Sequence, residues 1–564
     1  MNIPKLYGKT SGLSRSETGS LERLYRRKIP PKEIITLELA RTLTQITHDI
    51  KKGITLLIDR KGRVRVVFLG DAHEFPYDEL LGRSRESKFR LRGYRIVHTH
   101  LKNSSLSQPD LVSLLNERLD LLGLIEVGQS GAPGKFELAH IVPKNGNEAD
   151  EKKWEVITYN DLGRVDVRCD ELITDIEHGL ERSYYEHGGE RNKEGVLLVG
   201  FSTKFRTDAE ESLEELHSLA KSANKAVLGT TLQTRKEIDP RYLVGKGKLN
   251  EVILSARHAG AEKIIFDVEL TPAQMKSITD ATNLEVMDRT QLILEIFARH
   301  ATTSEGKLQV KLAQLRYNLP RLVGQGIELS QLGGGIGTRG PGEKKLEEQR
   351  RTFRKQIDQL EKQITHLSKR REHTRKKRRD TGIPTVTFIG YTNVGKSTLF
   401  NALTKSGVTV RNKLFSTLVP TTRKLRLPSG KEILVTDTVG FISDLPKELV
   451  NAFRATLEEL GASSLLLHVA DASDPMVEER IESVQKILEN TGYDGIKELI
   501  VLNKEDKAPK DEARRLSKIY NAPLVSAREK KALSLVTDLI ENEIFPDHER
   551  SKTGSDLELS LNTV

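Results

Sequence analysis

The residues Gly390-Tyr391-Thr392-Asn393-Val394-Gly395-Lys396-Ser397 fit the pattern G-x-x-x-x-G-K-[ST]. A β-branched apolar run over 385–389 precedes them, and an amphipathic helical pattern begins at Thr398. Glycines at a helix N-terminus let consecutive backbone N–H groups surround a phosphate, which the helix dipole also favours. Lys396 would reach the β- and γ-phosphates, and the Ser397 hydroxyl would bind Mg²⁺. The stretch therefore predicts a phosphate-binding loop between a strand and a helix.

Two later segments predict the groups that surround the γ-phosphate. The first is the hydroxyl-rich loop Phe415-Ser416-Thr417-Leu418-Val419, in which Thr417 is a candidate second ligand of Mg²⁺. The second is Asp437-Thr438-Val439-Gly440, which ends a strand pattern. Its aspartate would hold the metal through water, and the glycine N–H would contact the γ-phosphate. The predicted catalytic residues are Lys396, Thr417 and Gly440.

The segment Asn503-Lys504-Glu505-Asp506 follows an apolar strand pattern and predicts the base specificity. The Asp506 carboxylate would accept hydrogen bonds from N1 and N2 of guanine, a donor pair that adenine lacks. Ser526-Ala527-Arg528 follows a strand predicted over Pro523–Ser526 and would close over the base. Four segments in this order, each after a strand pattern, predict a GTP-binding domain.

Composition limits the classes of protein to which the chain can belong. The 564 residues carry a net charge of +10, and no run of 18 apolar residues is present, so we expect no membrane span. The N-terminus lacks the apolar segment of a secretory signal, and one cysteine fits a reducing compartment, so we predict a cytoplasmic protein. The segment 344–379 holds 15 Lys/Arg and five Asp/Glu, an excess equal to the whole net charge. Such a concentration predicts contact with RNA phosphates, whereas an ordinary charge run is only a solvated helix face.

The predicted fold class is α/β with several domains. Residues 1–185 form an α+β extension, and 195–306 alternate strands and helices as in a small parallel sheet. Residues 307–380 form a helical hairpin, 381–545 form a doubly wound phosphate-loop domain, and 546–564 form a disordered tail.

The hairpin prediction rests on apolar residues spaced by four and three positions. The first helix carries Leu308, Leu312, Leu315, Leu319 and Leu322, and the second carries Phe353, Ile357, Leu360, Ile364 and Leu367. Pro320 would kink or end the first helix. Between the helices lies the tip Gly333-Gly334-Gly335-Ile336-Gly337-Thr338-Arg339-Gly340-Pro341-Gly342. We interpret it as a probe of a crowded polyanionic surface, although a plain connector would also turn the chain.

The N-terminal extension contains His98-Thr99-His100 followed by Ser107 and Asp110. The order resembles the H-x-H…S-x-x-D signature of JAMM-type zinc hydrolases, in which two imidazoles and a carboxylate hold the metal. The spacing is about one residue short, and no upstream catalytic glutamate is evident. The alternative is a strand with two surface histidines before the cap of a helix predicted over Gln108–Leu121.

Taken together, the motifs resemble those of the HflX family of GTPases over about residues 195–545. The resemblance rests on the 390–397 loop, the 437–440 and 503–506 segments, the Gly-rich tip, and Leu312-Ala313-Gln314-Leu315-Arg316-Tyr317. Lys344-Lys345 stand where the family typically has Thr-Gln, which makes this tip more basic. The resemblance implies a monomer that hydrolyses GTP, binds 23S rRNA of the 50S subunit with its helical domain, and separates or rescues stalled ribosomes.

Hydrolysis is predicted to be slow. Many GTPases place glutamine directly after the glycine of the second segment to orient water, and Phe441 occupies that position here. Asn393 resembles the asparagine that coordinates K⁺ in related GTPases, so K⁺ is a candidate cofactor beside Mg²⁺; bracing the 415–419 loop is its alternative role. Two other functions stay open: a metallohydrolase with a regulatory GTPase domain, and a GTP-gated RNA-binding factor that acts away from ribosomes.

Overall fold

The structure is a computed structural model that describes residues 5–81, 89–101, 105–144, 152–282, 284–321, 341–380, 382–404, 415, 420–442 and 460–546. The chain divides into two compact units. Residues 1–270 and 277–288 make up the first unit, and residues 271–276 and 289–564 make up the second. The α/β class is confirmed, because both units combine helices with sheets that contain parallel strands. No helix in the described ranges has the length and apolar character to cross a bilayer.

The first unit begins with a mixed sheet in the order β1-β3-β2-β4-β5-β6-β7. Its strands are β1 (Tyr7–Gly8), β2 (Ile54–Asp59), β3 (Val64–Leu69), β4 (Tyr94–His100), β5 (Leu121–Val127), β6 (Pro133–Ile141) and β7 (Trp154–Tyr159). The helices of this region are α1 (Arg15–Leu24), α2 (Leu37–Ile50), α3 (Tyr77–Leu81), α4 (Gln108–Asn116) and α5 (Cys169–Glu186). Apolar side chains of the sheet and helices form one core, which suits the predicted α+β extension.

A second sheet in the same unit has the order β11-β10-β8-β9, with every pair parallel. Its strands are β8 (Glu194–Ser202), β9 (Lys225–Thr234), β10 (Lys263–Phe266) and β11 (Glu285–Asp288), and α6 (Arg206–Ser222) and α7 (Lys246–Ala259) connect them. The predicted small parallel sheet is therefore confirmed. Helix α4 packs on α7, and the ring Nε2 of His258 lies 2.8 Å from the Val142 carbonyl oxygen, so the two sheets share one unit.

The second unit contains the helical hairpin. After α8 (Pro272–Thr282), which contributes residues to both units, come α9 (Arg289–His300), α10 (Ser304–Arg321) and α11 (Pro341–Asp380). Leu312, Leu315 and Ile357 form the buried centre of the α10–α11 seam, with Leu319, Phe353, Leu360 and Ile364 around it. Arg316 donates to Glu361 across the seam at 2.6 Å. The two helices pack along the predicted seam, and α10 includes Pro320. Leu322 and residues 333–340 of the Gly-rich tip lie outside the described residues, and the last two residues of the tip, Pro341 and Gly342, begin α11.

The rest of the second unit is built on a sheet in the order β13-β14-β12-β15-β16. The strands are β12 (Thr385–Ile389), β13 (Thr421–Arg426), β14 (Glu432–Asp437), β15 (Leu465–Asp471) and β16 (Glu498–Asn503); β13 is antiparallel and the others are parallel. Its helices are α12 (Lys396–Thr404), α13 (Val477–Thr491), α14 (Lys510–Tyr520) and α15 (Lys530–Ile544). The carboxyl ends of β12, β14, β15 and β16 meet at one edge, where ligands of open α/β sheets bind.

Candidate functional site

The 390–397 loop joins β12 to α12, as its sequence predicts. The backbone takes positive φ at Gly390 (139°), Asn393 (62°) and Gly395 (95°). A Cβ at Gly390 would lie 2.2 Å from the Val469 carbonyl oxygen, and one at Gly395 would lie 2.3 Å from Asn503 Nδ2. Glycine is therefore required at both positions for the loop to curl against the neighbouring strands.

Lys396 is buried inside this loop. Its Nζ donates to the Gly390 carbonyl at 2.9 Å and to the Tyr391 carbonyl at 2.6 Å. Burial lowers the pKa of Lys396 to about 8, and the nearby Asp437 carboxylate only partly offsets that effect. The ammonium group is thus held in a poorly solvated place, where the oxygens of a phosphate would stabilise its charge.

Ser397 and Asp437, predicted to bind Mg²⁺ directly and through water, lie in contact. Ser397 Oγ donates to Asp437 Oδ2 at 2.8 Å, and both side chains are buried. A hydroxyl and a carboxylate are hard oxygen ligands of the kind that Mg²⁺ prefers, so the donor set fits this ion. Thr438 fixes the end of β14, because its Oγ1 donates to the Phe388 carbonyl at 2.5 Å.

The loop predicted to supply Thr417 is described only in part. Ser416, Thr417, Leu418 and Val419 lie outside the described residues, and the predicted second hydroxyl ligand lies there with them. Phe415 is described: it is buried, has φ of 59°, and packs its ring against Phe297 with centroids 4.5 Å apart. This contact fixes the position of the Phe415 ring.

Gly440 and Phe441 border the phosphate loop as expected. A Cβ at Gly440 would lie 3.0 Å from Lys396 Nζ and 2.9 Å from Thr392 Cα, so its backbone lies beside the ammonium group. The backbone of Phe441 makes two hydrogen bonds with the loop. Its N–H donates to the Gly390 carbonyl at 3.1 Å, and its carbonyl accepts from the Thr392 N–H at 2.7 Å. Its side chain is buried among Ile389, Leu460 and other core residues, where it has no polar atom to offer water.

The residues predicted to recognise the base lie together near the end of β16. Asn503 donates from Nδ2 to the Val394 carbonyl at 2.8 Å, and its Oδ1 accepts from the Ala527 N–H at 3.0 Å. Ser526 Oγ donates to Asp506 Oδ1 at 3.0 Å, and the Asp506 side chain is exposed. Lys504 has φ of 63° and forms an ion pair with Asp471 at 2.5 Å, while Arg528 is exposed.

The predicted strand over Pro523–Ser526 is wrong. In the described residues this segment makes one isolated bridge, between Leu524 and Leu502, with the Leu502 N–H bound to the Pro523 carbonyl and the Val525 N–H bound to the Leu502 carbonyl. Pro523 lacks an N–H, which limits the ladder that can form. The bridge still carries Ser526 and Ala527 to the base-recognition site.

The sequence analysis missed a group of residues behind the phosphate loop. The Arg480 guanidinium lies 4.8 Å from the ring centroid of the buried Tyr391, and Arg480 also pairs with Asp474. Next to the loop, His468 pairs with Glu498 at 2.5 Å across β15 and β16. The contacts of Arg480 with Tyr391 and of His468 with Glu498 join residues that are far apart in the sequence, so no local pattern could have indicated them.

The histidines of the extension neither assemble into the candidate JAMM-type metal site nor both lie on the surface, as the alternative interpretation expected. His98 is buried on β4, and its Nδ1 accepts from the Ala72 N–H at 3.2 Å; burial lowers the pKa of His98 to about 4. Asp110 is occupied by the cap of α4, where it accepts from Ser107, and by the ring of His73 at 3.1 Å. His100 lies 3.1 Å from Asp71. No group of three or more His, Cys, Asp or Glu in the described residues is arranged to hold a metal ion.

The positively charged segment 344–379 belongs to α11. Arg351, Arg354, Lys355 and Lys362 are exposed along the helix, outside the apolar seam with α10. The basic cluster Arg375–Arg379 also lies on α11.

Comparison with known proteins extends over most of the chain. Three family models match in succession: "GTP-binding GTPase N-terminal" at 210–298, "GTP-binding GTPase Middle Region" at 300–378 and "50S ribosome-binding GTPase" at 385–504. GTPase HflX of Caldanaerobacter subterraneus subsp. tengcongensis is 46% identical over 359 residues, which are 64% of this chain and 82% of the relative. GTPase HflX of Escherichia coli is 41% identical over 341 residues, 59% of this chain and 80% of the relative.

Proposed function

Because the chain belongs to the HflX family of GTPases, we propose that it binds the large (50S) ribosomal subunit in its GTP form and leaves after hydrolysis. On this proposal it acts in splitting or rescue of ribosomes, or in subunit maturation, as a cytoplasmic monomer. The observation that carries it is the geometry of the nucleotide site: Asn503, on the segment that holds Asp506, is hydrogen-bonded to Val394 of the phosphate loop and to Ala527, which follows Ser526. We infer that the nucleotide bound at this site sets the conformation that the subunit recognises.

The proposed RNA contact is the helical hairpin. Its second helix, α11, is 40 residues long, and the exposed Arg351, Arg354, Lys355 and Lys362 stand on the described part of its surface. The seam of Leu312, Leu315 and Ile357 holds this helix against α10, so its positive face is presented by a braced element. Phosphates of 23S rRNA are the partner that this charge suits, and the binding should weaken with salt.

Hydrolysis would use the groups that line the phosphate loop. Lys396 would neutralise charge on the β- and γ-phosphates, and the Gly440 backbone beside it would contact the γ-phosphate. Ser397 and Thr417 would be the protein ligands of Mg²⁺, with Asp437 acting through water. When bound, this ion neutralises phosphate charge and fixes the phosphate geometry. The remaining predicted contacts to the nucleotide are the loop residues 390–397, the 415–419, 437–440 and 503–506 segments, and Ser526, Ala527 and Arg528.

The slow intrinsic rate follows from the position of Phe441. Its ring is packed in the core, so another group must orient the attacking water. Asn393 is exposed at the rim of the loop with φ of 62°, where its amide oxygen could contribute to a K⁺ site. Exchange of K⁺ for Na⁺ should slow GTP hydrolysis by the full chain, and the Asn393→Ala variant should lose this difference. Equal rates in the two salts would remove K⁺ from the mechanism.

Sedimentation with purified 50S subunits tests the ribosomal role. The protein should pellet with subunits in a non-hydrolysable GTP analogue and remain in the supernatant with GDP or an ATP analogue. The triple change Arg351→Glu, Arg354→Glu, Lys355→Glu should abolish pelleting while nucleotide binding stays intact, since the two features lie on different elements. Binding to subunits that ignored the nucleotide would instead favour an RNA-binding factor without a ribosomal switch.

A further inference from the structure

The carboxyl edge of the β11-β10-β8-β9 sheet carries two adjacent loops. The first range, residues 203–206, is the loop after β8 with the first residue of α6; the second, residues 235–248, is the loop after β9 with the first three residues of α7. The strands are parallel neighbours with Ser202 opposite Thr234, and the Arg235 N–H donates to the Ser202 carbonyl at 3.0 Å. The two loops therefore start side by side at the same edge. We call residues 203–206 and 235–248 the carboxyl-edge patch.

The longer loop of the patch has a fixed conformation. Asp239 Oδ1 accepts from the backbone N–H groups of Arg241 at 2.8 Å and Tyr242 at 2.7 Å. The backbones of Asp239 and Leu243 exchange two hydrogen bonds of 3.0 Å, and Leu243 is buried beneath the loop. A Cβ at Gly245, where φ is 80°, would lie 2.7 Å from Arg235 Nη1. Because the loop backbone is already fixed, little conformational entropy is lost when a partner binds to its outer side chains.

The charge of the patch is strongly positive. Its 18 residues include seven Lys/Arg and two Asp/Glu. Glu210 and Glu251 pair with Arg206 and Lys248. The other five are all exposed, namely Lys204, Arg235, Lys236, Arg241 and Lys246. Because they surround one short sheet edge, they form a concentrated field for an anionic partner.

The same patch exposes apolar and aromatic side chains. Phe205 is 72% exposed and Ile238 is 54% exposed, more than any other large hydrophobic residue in the described ranges. The Arg241 guanidinium lies 5.0 Å from the ring centroid of Tyr242, which gives a second flat surface. Apolar groups left in water beside positive charges are typical of an interaction site. An acidic protein segment would pair with the positive charges, but it would not need the flat surfaces of the Phe205 ring and the Arg241–Tyr242 pair.

We propose that the carboxyl-edge patch binds single-stranded RNA. Bases would stack on Phe205 and on the Arg241–Tyr242 pair, and Lys204, Lys236 and Lys246 would contact the phosphates. Single strands offer the π-faces of their bases, whereas a duplex keeps them stacked inside. This proposal goes beyond the proposed function, which assigns binding of ribosomal RNA to α11. It rests on that function in one respect only, namely that RNA is chosen as the polyanion.

The test measures binding of the full chain to a labelled, unstructured RNA of about 12 nucleotides, within the size range of single-strand sites. Fluorescence anisotropy is recorded in the triple variant Arg351→Glu, Arg354→Glu, Lys355→Glu, so that α11 contributes less. Phe205→Ala should weaken binding by at least about fivefold, as expected for one lost base stack. Phe205→Trp should restore it. Leu37→Ala removes another exposed apolar side chain, 40% exposed and on α2, and should have no effect.

The charges are tested in the same assay. Lys236→Glu with Lys246→Glu should weaken binding and reduce the dependence of affinity on salt by roughly 0.7 per lost phosphate contact. Arg191→Glu, an exposed change outside the patch, is the matched control. Equal binding by the triple variant with and without Phe205→Ala, or an equal loss of affinity for duplex RNA, would overturn the proposal. This assay contains no ribosome. If the protein failed to sediment with 50S subunits, the expected binding of the labelled RNA would therefore stay the same.

Discussion

Asn503 Nδ2 donates a hydrogen bond to the Val394 carbonyl at 2.8 Å, although the two residues are 109 positions apart in the chain. The other end of the same amide, Oδ1, accepts from the Ala527 N–H at 3.0 Å. One buried side chain thus joins the phosphate loop, the end of β16 and the segment after Pro523. Its role is to position these segments, so the arrangement of the site should depend on it.

Asn503→Ala should therefore damage both stability and nucleotide binding. It leaves the Val394 carbonyl and the Ala527 N–H without their partner in a buried place, at a cost of about 2–4 kcal/mol of unfolding free energy. GDP affinity, measured by titration calorimetry, should fall at least about tenfold. Asn192→Ala, on an exposed linker, is the control and should behave as wild type. Unchanged GDP affinity in Asn503→Ala would contradict the role of the amide.

The close approach of Gly395 to Asn503 gives a second prediction. Gly395→Ala should abolish nucleotide binding, because the new methyl group would lie 2.3 Å from Nδ2 and φ is 95°. Gly492→Ala is a matched control: its φ is 75°, but nothing lies within 4 Å of the new Cβ. That variant should lose only about 1 kcal/mol of stability, the cost of an alanine at positive φ. Nucleotide binding measured with a fluorescent GDP derivative should separate the two, and similar losses would show that backbone strain alone is responsible.

Asp506 should determine which base is bound. Asp506→Asn replaces one acceptor oxygen by an N–H₂ donor, which suits the 2-carbonyl of xanthine better than the 2-amino group of guanine. We expect GTP hydrolysis to fall at least about a hundredfold and XTP hydrolysis to rise, as assayed by phosphate release. The bond from Ser526 holds Asp506 Oδ1 at 3.0 Å, so Ser526→Ala should weaken GTP binding by less, about threefold to tenfold. Retained preference for GTP in Asp506→Asn would place base recognition elsewhere.

The sequence predicts well what depends on short-range spacing. The phosphate loop, the hairpin seam and the alternation of strands and helices over 195–288 all follow from periodicity and glycine placement, and the structure has them. The boundary of α4 was predicted wrongly, at Leu121 instead of Asn116. The apolar residues Leu119, Leu121 and Leu122 continue a helical pattern, but Arg118 adopts φ of 48° and turns the chain into buried β5. Periodicity cannot show such a turn, because arginine gives no signal for it.

The positions that no sequence pattern indicates are those fixed by distant partners. His98 and Asp110 have the residue types of a metal site, yet the Ala72 N–H occupies His98 Nδ1 and the α4 cap and His73 occupy Asp110. The Arg480–Tyr391 contact likewise joins α13 to the phosphate loop. Such partners are brought together by tertiary packing, which local sequence does not encode.

Lys396 should make stability and nucleotide binding depend on pH. Its pKa is about 8 in the folded protein, against 10.5 for an ordinary exposed lysine, so the unfolded chain binds more protons between these values. The contribution of this group to the free energy of unfolding should therefore be present above pH 10.5, and lost as pH falls through 8. Chemical denaturation of the nucleotide-free protein at pH 8 and pH 10 should show this rise in wild type, and a smaller rise in Lys396→Met.

Binding of phosphates should have the opposite dependence, because it requires the ammonium form. Between pH 7.5 and 8.5 the GDP affinity should fall about threefold, with proton uptake detected by calorimetry in two buffers of different ionisation enthalpy. Lys486→Met, which removes an exposed lysine paired with Glu482, should leave both effects unchanged. A flat affinity without proton uptake would mean that Lys396 is already fully protonated in the empty loop, held by the carbonyls of Gly390 and Tyr391.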